Sequence, residues 1–163
     1  MAETLGTNDM LPTKFEGKRQ YDWIFAIEGI DSFLMKTASR PSYTIAETVI
    51  NYMNSKRYLA GKRTFAPLNV TLYDPIAPSG AQQVMEWIRT IDESVSGRNG
   101  YADFYKRDCQ IKMTDPIGTV IELWDIKGVF PTSINYNSLN YDDDSTLMTI
   151  DLTLRFDNCI LQF

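Results

Sequence analysis

The stretch Thr146–Phe156, TLMTIDLTLRF, alternates residue by residue. Met148, Ile150, Leu152, Leu154 and Phe156 fall on one side, and Thr149, Asp151, Thr153 and Arg155 on the other. Period-two alternation of apolar and polar side chains predicts a β-strand with one face in a core and one face wet, the signature of an antiparallel sheet. Outward from this strand the same period recurs. LNVTLYD (68–74) sets Leu68, Val70 and Leu72 on one face, CQIKMTD (109–115) alternates, and TVIELWDIKG (119–128) follows the Pro116-Ile117-Gly118 turn. Towards the N-terminus, YDWIFAIEG (21–29) aligns Tyr21, Trp23, Phe25 and Ile27 before a Glu28-Gly29 turn, and SFLMKTA (32–38) reads as the returning strand. VFPTSINYNSLNYDDDS (129–145) reads as a long polar connection.

One segment has a different period. Ser79 is a candidate N-cap, and GAQQVMEWIRTIDESV beyond it places Ala81, Val84, Met85, Ile88, Ile91 and Val95 at helical spacing, with Trp87 at the edge of the stripe. A lone amphipathic helix must lay its stripe on a sheet. The expected fold is mainly β: an antiparallel β-barrel or sandwich of about seven to nine strands with one flanking helix over residues 80–95. A long hairpin over 44–61 protrudes from it. The whole chain, 1–163, forms a single domain with a flexible N-terminal arm at 1–18 and a C-terminal tail at 158–163.

Composition closes off several functions. No histidine is present, which removes the commonest general base and metal ligand, and with it zinc sites and Ser-His or Cys-His nucleophiles within this chain. Cys109 and Cys159 read as buried small hydrophobes rather than a disulfide. No apolar run reaches the length of a membrane span, and the N-terminus lacks the apolar core of a secretory signal, so an intracellular origin and no membrane anchor are expected. The net charge of −5 opposes gripping a phosphate backbone. Asp142-Asp143-Asp144 lack the alternate ligands, central glycine and distal glutamate of a calcium loop and read as a solvated turn. Glu86, Asp92 and Glu93 read as a solvated helix face rather than paired catalytic carboxylates. No catalytic residue, cofactor site or metal site is expected, and the chain does not read as an enzyme.

The remaining anomaly is Asn51–Phe65, NYMNSKRYLAGKRTF. It carries Lys56, Arg57, Lys62 and Arg63 and no acid, although the chain as a whole is acidic. Residues 82–163 hold thirteen Asp and Glu against seven Lys and Arg. Tyr52, Met53, Tyr58 and Leu59 need cover, and a long hairpin alone is marginal. Asn54-Ser55 is the expected turn and Gly61-Lys62 the expected break. Cover from a second chain is the reading this segment favours, with hairpin arms able to pair across an interface.

Two motifs resemble one family, the tail tube proteins of contractile-tail bacteriophages. Residues 53–65, MNSKRYLAGKRTF, resemble the family's Met-Asn-x-Lys, short apolar arm and Ala-Gly-x-Arg-Thr-Phe, here Ala60, Gly61, Arg63, Thr64 and Phe65, with an extended NVTLYD following. Residues 125–135, DIKGVFPTSIN, resemble its Ile-Lys-Gly-x-aromatic-Pro-Thr segment, here Ile126, Lys127, Gly128, Pro131 and Thr132. The lone helix lies between them, as in the family. The resemblance implies a structural role. Subunits form hexameric rings whose inner sheets join into a β-lined channel. The rings stack into a tube inside a contractile sheath, and DNA passes down the lumen without specific binding. Tail sheath, baseplate and tail-terminator proteins are implied as partners, and the virion tail as location, with assembly in the host cytoplasm. The related haemolysin-coregulated protein of type VI secretion shares the fold and ring. The inter-ring hairpin maps to Asn51, Tyr52, Met53, Asn54, Ser55, Lys56, Arg57, Tyr58 and Leu59. Its positive charge is expected to dock on the acidic excess of residues 82–163, and the lumen wall to be neutral or repulsive to phosphate. The competing readings are a type VI secretion ring protein, a baseplate tube initiator, and a monomeric small-ligand-binding β-barrel.

Overall fold

The computed structural model describes residues 16–163; of the arm expected at 1–18, residues 1–15 lie outside the described residues. In chain order the strands are β1 (Trp23–Ile27), β2 (Met35–Ala38), β3 (Tyr43–Tyr52), β4 (Ser55–Phe65) and β5 (Leu68–Tyr73). Helix α1 (Gly80–Ile91) follows, then a two-residue pair β6 (Asp92–Glu93) and β7 (Arg98–Asn99), and a short helix α2 (Ala102–Tyr105). The chain closes with β8 (Arg107–Thr114), β9 (Val120–Asn135), β10 (Thr149–Arg155) and β11 (Asn158–Leu161).

The body is a seven-stranded antiparallel sheet in the order β1-β8-β9-β10-β5-β2, with β11 also on β9. It behaves as two halves that share β9. The first part of β9 pairs with β8 on one edge and β11 on the other, and its last part pairs with β10. Alternate residues of these strands point inward, so Phe25, Leu68, Val70, Leu72, Ile111, Ile126, Ile150, Leu152 and Leu154 make one buried cluster. The alternation of β10 is as its sequence dictates: Ile150, Leu152, Leu154 and Phe156 are buried, whereas Met148 lies before the strand and is exposed.

Helix α1 starts where Ser79 caps it, the hydroxyl accepting the Gln82 N–H, while Asp74 Oδ1 accepts the Ala81 N–H at 3.1 Å. It ends at Ile91, short of the expected residue 95, so Val95 is exposed and the buried stripe shifts to Val84 and Trp87, with Met85 half out. Trp87 sits at the centre of the stripe rather than its edge because its Nε1 finds a partner at depth, donating to the Tyr105 carbonyl at 2.7 Å.

Several local expectations are corrected. Ser32–Leu34 is a 3-10 turn, and the strand after it, β2, pairs with β5 instead of returning on β1. Tyr21 precedes β1 and is exposed. The hairpin spans Tyr43–Phe65, longer than 44–61, and its turn is Met53-Asn54, since Tyr52 faces Ser55 in register. Gly61 does not break β4; it lies at a bulge opposite Ala46, where any Cβ would stand 2.9 Å from the Ala46 carbonyl oxygen. Strand β9 runs through the supposed connection as far as Asn135. The expected tail from Asn158 is a strand, because Cys159 is apolar, buried and paired with Ile126. Cys109 pairs with Ile126 from the opposite edge, so the two thiols are two strand spacings apart, about 10 Å, and both are free.

Candidate inter-subunit surface

Among the described residues, strands β3 and β4 pair only with each other. Directly paired residues share a face, so Ile50, Tyr52, Arg57 and Leu59 stand on one side of the ribbon, and Asn51, Val49, Lys56 and Tyr58 on the other. Both faces therefore mix apolar bulk with positive charge. Met53 at the turn adopts φ 44° and is fully exposed, and Tyr52, Tyr58, Leu59, Val49 and Ile45 are exposed as well. Burying side chains of this size on a partner is worth about 1.5–3 kcal/mol each. Lys56, Arg57 and Lys62 have no ion-pair partner among the described residues. A ribbon of roughly 30 Å, at about 3.3 Å per residue, thus projects its apolar and cationic groups into solvent.

The two family-like motifs converge where this ribbon joins the body. Phe65 packs on Phe156, ring centroids 5.1 Å apart. Arg63 lies over the Phe65 and Tyr43 rings at 4.7 and 5.6 Å and reaches Asn158 Oδ1 at 3.5 Å. Thr64 pairs with Thr44, and Ala60 with Glu47 beside the Gly61 bulge. From the other side, Gly128 adopts φ 68° against Asp157, whose Oδ2 would lie 2.3 Å from a Cβ. Its N–H donates to Asp108, and Lys127 pairs with Asp108 at 2.8 Å. The Asp108 carboxyl titrates below its usual range because Lys127 hydrogen-bonds its charged form. Ile126 is core, Pro131 faces Leu154, and Thr132 donates to the Thr153 carbonyl at 3.1 Å. Phe65, Arg63 and Gly128 among the motif residues thus mount the hairpin on the bend Phe156–Asn158.

A second mount lies before the hairpin. Glu122 is 3% exposed and accepts hydrogen bonds from Lys18, Arg40 and the Trp124 indole. Burial pushes this carboxyl up, but the hydrogen bonds from Lys18, Trp124 and Arg40 outweigh it and bring it to about 2. Nothing in the sequence marked Glu122; its partners are too far away along the chain.

The other sequence candidates are dispersed. Asp142–Asp144 lie on an exposed loop, where Asp143 Oδ1 accepts the Ser145 and Thr146 N–H groups and so shapes a turn. Glu86, Asp92 and Glu93 are exposed. Side chains such as Phe25, Leu72 and Leu154 fill the core between the two halves of the sheet, and a cleft of about 550 Å³ opens beside them between Trp23, Ile111 and Met113 on one side and residues 36–40 on the other.

No protein-family model matches the chain. It is 25% identical over 133 residues to the tail tube protein gp19 of Enterobacteria phage T4, covering 77% of this chain and 78% of gp19, and equally to gp19 of phage T6. This homology, together with the fold, relates the chain to the contractile tail tube proteins. Among solved structures, the tube-terminating cap of the anti-feeding prophage superposes with a TM-score of 0.75 at 18% identity, over 97% of this chain and 99% of the cap. The sheath-tube complex of an extracellular contractile injection system, PVC, gives 0.67 at 18% identity, over 98% and 99%. Hcp1 from Flavobacterium johnsoniae shares the fold more distantly, at 0.51 and 10% identity, over 87% and 95%.

Proposed function

We propose that the chain is the structural subunit of a contractile phage tail tube. Homology to gp19 supports the role. The observation that carries it is the hairpin of β3 and β4, whose apolar side chains have no cover among the described residues. Hexameric rings stack through Asn51–Leu59 of each subunit into a hollow tube. The tube runs inside a sheath, begins on a baseplate, ends at a terminator and conducts DNA without binding it. The subunit has no catalytic role. It is assembled in the host cytoplasm and ends in the virion tail. The type VI secretion reading is carried by the same fold, and the gp19 homology favours the phage tail over it.

The test is negative-stain electron microscopy of the purified chain over a concentration series. Hollow six-fold rings, stacking into tubes of uniform width as concentration rises, are expected. Strictly monomeric particles at every concentration would overturn the self-assembling role.

A further inference from the structure

The hairpin needs a seat, and the chain carries a groove of matching chemistry. The groove lies in the loop between β9 and β10 and has a volume of about 700 Å³. Asn137, at φ 58°, ties its mouth to the start of β10: its Nδ2 donates to the Thr149 carbonyl at 2.8 Å and to Thr149 Oγ1 at 2.9 Å. Leu139, Tyr141 and Leu147 stand 84%, 108% and 72% exposed along the loop. Three large apolar side chains so exposed on one loop are the mark of a surface covered by a partner. Asp142 and Asp144 flank them, with no ion-pair partner among the described residues.

Position supplies the second argument. In the β5–β10 pair, Leu68 faces Leu154 at one end and Tyr73 faces Thr149 at the other. The hairpin enters β5 at the Leu68 end and rests on Phe156 there. The groove opens at the Thr149 end, roughly 17 Å away at about 3.4 Å per residue. The base of the hairpin and the groove therefore lie at opposite ends of the β5–β10 pair, and joining hairpin to groove between copies gives a head-to-tail contact that repeats without closing.

We propose that the groove of residues 137–149 receives the hairpin tip of a second copy of this chain. Tyr52, Met53 and Tyr58 cover Leu139, Tyr141 and Leu147, while Lys56 and Arg57 face Asp142 and Asp144. This rests on the tube reading and names the seat that joins one ring to the next. Charge complementarity selects the occupant: among the described residues the tip carries two cations without ion-pair partners beside its apolar residues, and the loop two such carboxylates beside its own.

The experiment compares charge variants of the full chain by the concentration at which tubes appear. Lys56→Glu with Arg57→Glu, and separately Asp142→Lys with Asp144→Lys, are each expected to raise it about tenfold, and combining all four to recover most of that loss. In parallel, a Met53→Cys chain is mixed with a Tyr141→Cys chain and treated with a short bis-maleimide. A cross-linked dimer is expected. Cys109 and Cys159 stay silent because both are buried, and burial pushes the Cys109 thiol up to about 12. If the Asp142/Asp144 variant assembles like the parent, if the fourfold variant fails to recover, or if tubes form without the cross-link, the seat lies elsewhere and the tube reading stands. A parent chain that forms no rings or tubes, together with no cross-link between the Met53→Cys and Tyr141→Cys chains, overturns both.

Discussion

Glu122 sits almost out of reach of water and stays ionised because three donors converge on it. Its folded pKa, about 2, lies below the 4.5 of a free carboxyl. The stabilisation is therefore fully present above pH 4.5 and is lost as pH falls towards 2. A difference of this size corresponds to about 3 kcal/mol. Urea unfolding of Glu122→Gln should show a loss of about 2–3 kcal/mol at pH 7 that shrinks below pH 4.5 and largely disappears as the pH reaches about 2. Equal pH dependence of the two proteins would show that Glu122 does not hold the Lys18 and Arg40 segments. This residue was illegible beforehand. In TVIELWDIKG a glutamate reads as one more polar position, and only the fold brings Lys18 and Arg40 to it. Gly61 shows the same limit differently. The residue is visible in the sequence as a breaker, but whether glycine ends a strand or bulges it depends on the strand opposite, and here the Ala46 carbonyl fills the place of a side chain.

At the scale of elements, β10 was readable from Thr149 onward because its burial follows its own alternation, and only Met148, ahead of the strand, departs from it. Strand β9 was readable only as far as Gly128, since Gly-Val-Phe-Pro looks like punctuation. The glycine permits the left-handed bend against Asp157, and Pro131 lies beside the register shift between Thr153 and Leu154, where a missing N–H costs the ladder little. The hairpin was found by its composition, since neither face of it is apolar enough to belong inside. The groove loop gave no such signal: Leu139, Tyr141 and Leu147 are spaced by turn residues without a period. Because the outer hairpin is exposed and, among the described residues, its strands pair with no other strand, replacing Thr48–Leu59 by Asn-Gly, a two-residue turn that suits the strand twist, should leave the thermal midpoint within about 3 °C. The same variant should form no tubes. A large fall in the midpoint would show that the ribbon stabilises its own subunit, contrary to its exposure.

For the whole molecule, charge is distributed rather than merely negative. The ribbon carries Lys56, Arg57, Lys62 and Arg63, residues 82–163 carry the acidic excess that the proposed contact would use, and the net charge is −5 per subunit. Assembled protein should therefore fail to retard duplex DNA in a gel at about 0.15 M salt, where non-specific phosphate binding depends on unspent Lys and Arg. Clear retardation would mean that a cationic surface stays open, and the channel would then have to be reconsidered as a binding wall.

With the ribbon seated in the groove as proposed, their placement along the β5–β10 pair also gives a stack a direction. Each added ring fills one set of grooves and presents an identical empty set, so elongation never changes the surface that the next ring meets. The two extremities of the finished polymer are chemically unlike: one offers vacant grooves, the other idle ribbons. A protein that stops growth need imitate only one of these, and a protein that starts it only the other. Such a polymer has no intrinsic length, and any fixed length must be imposed from outside the subunit.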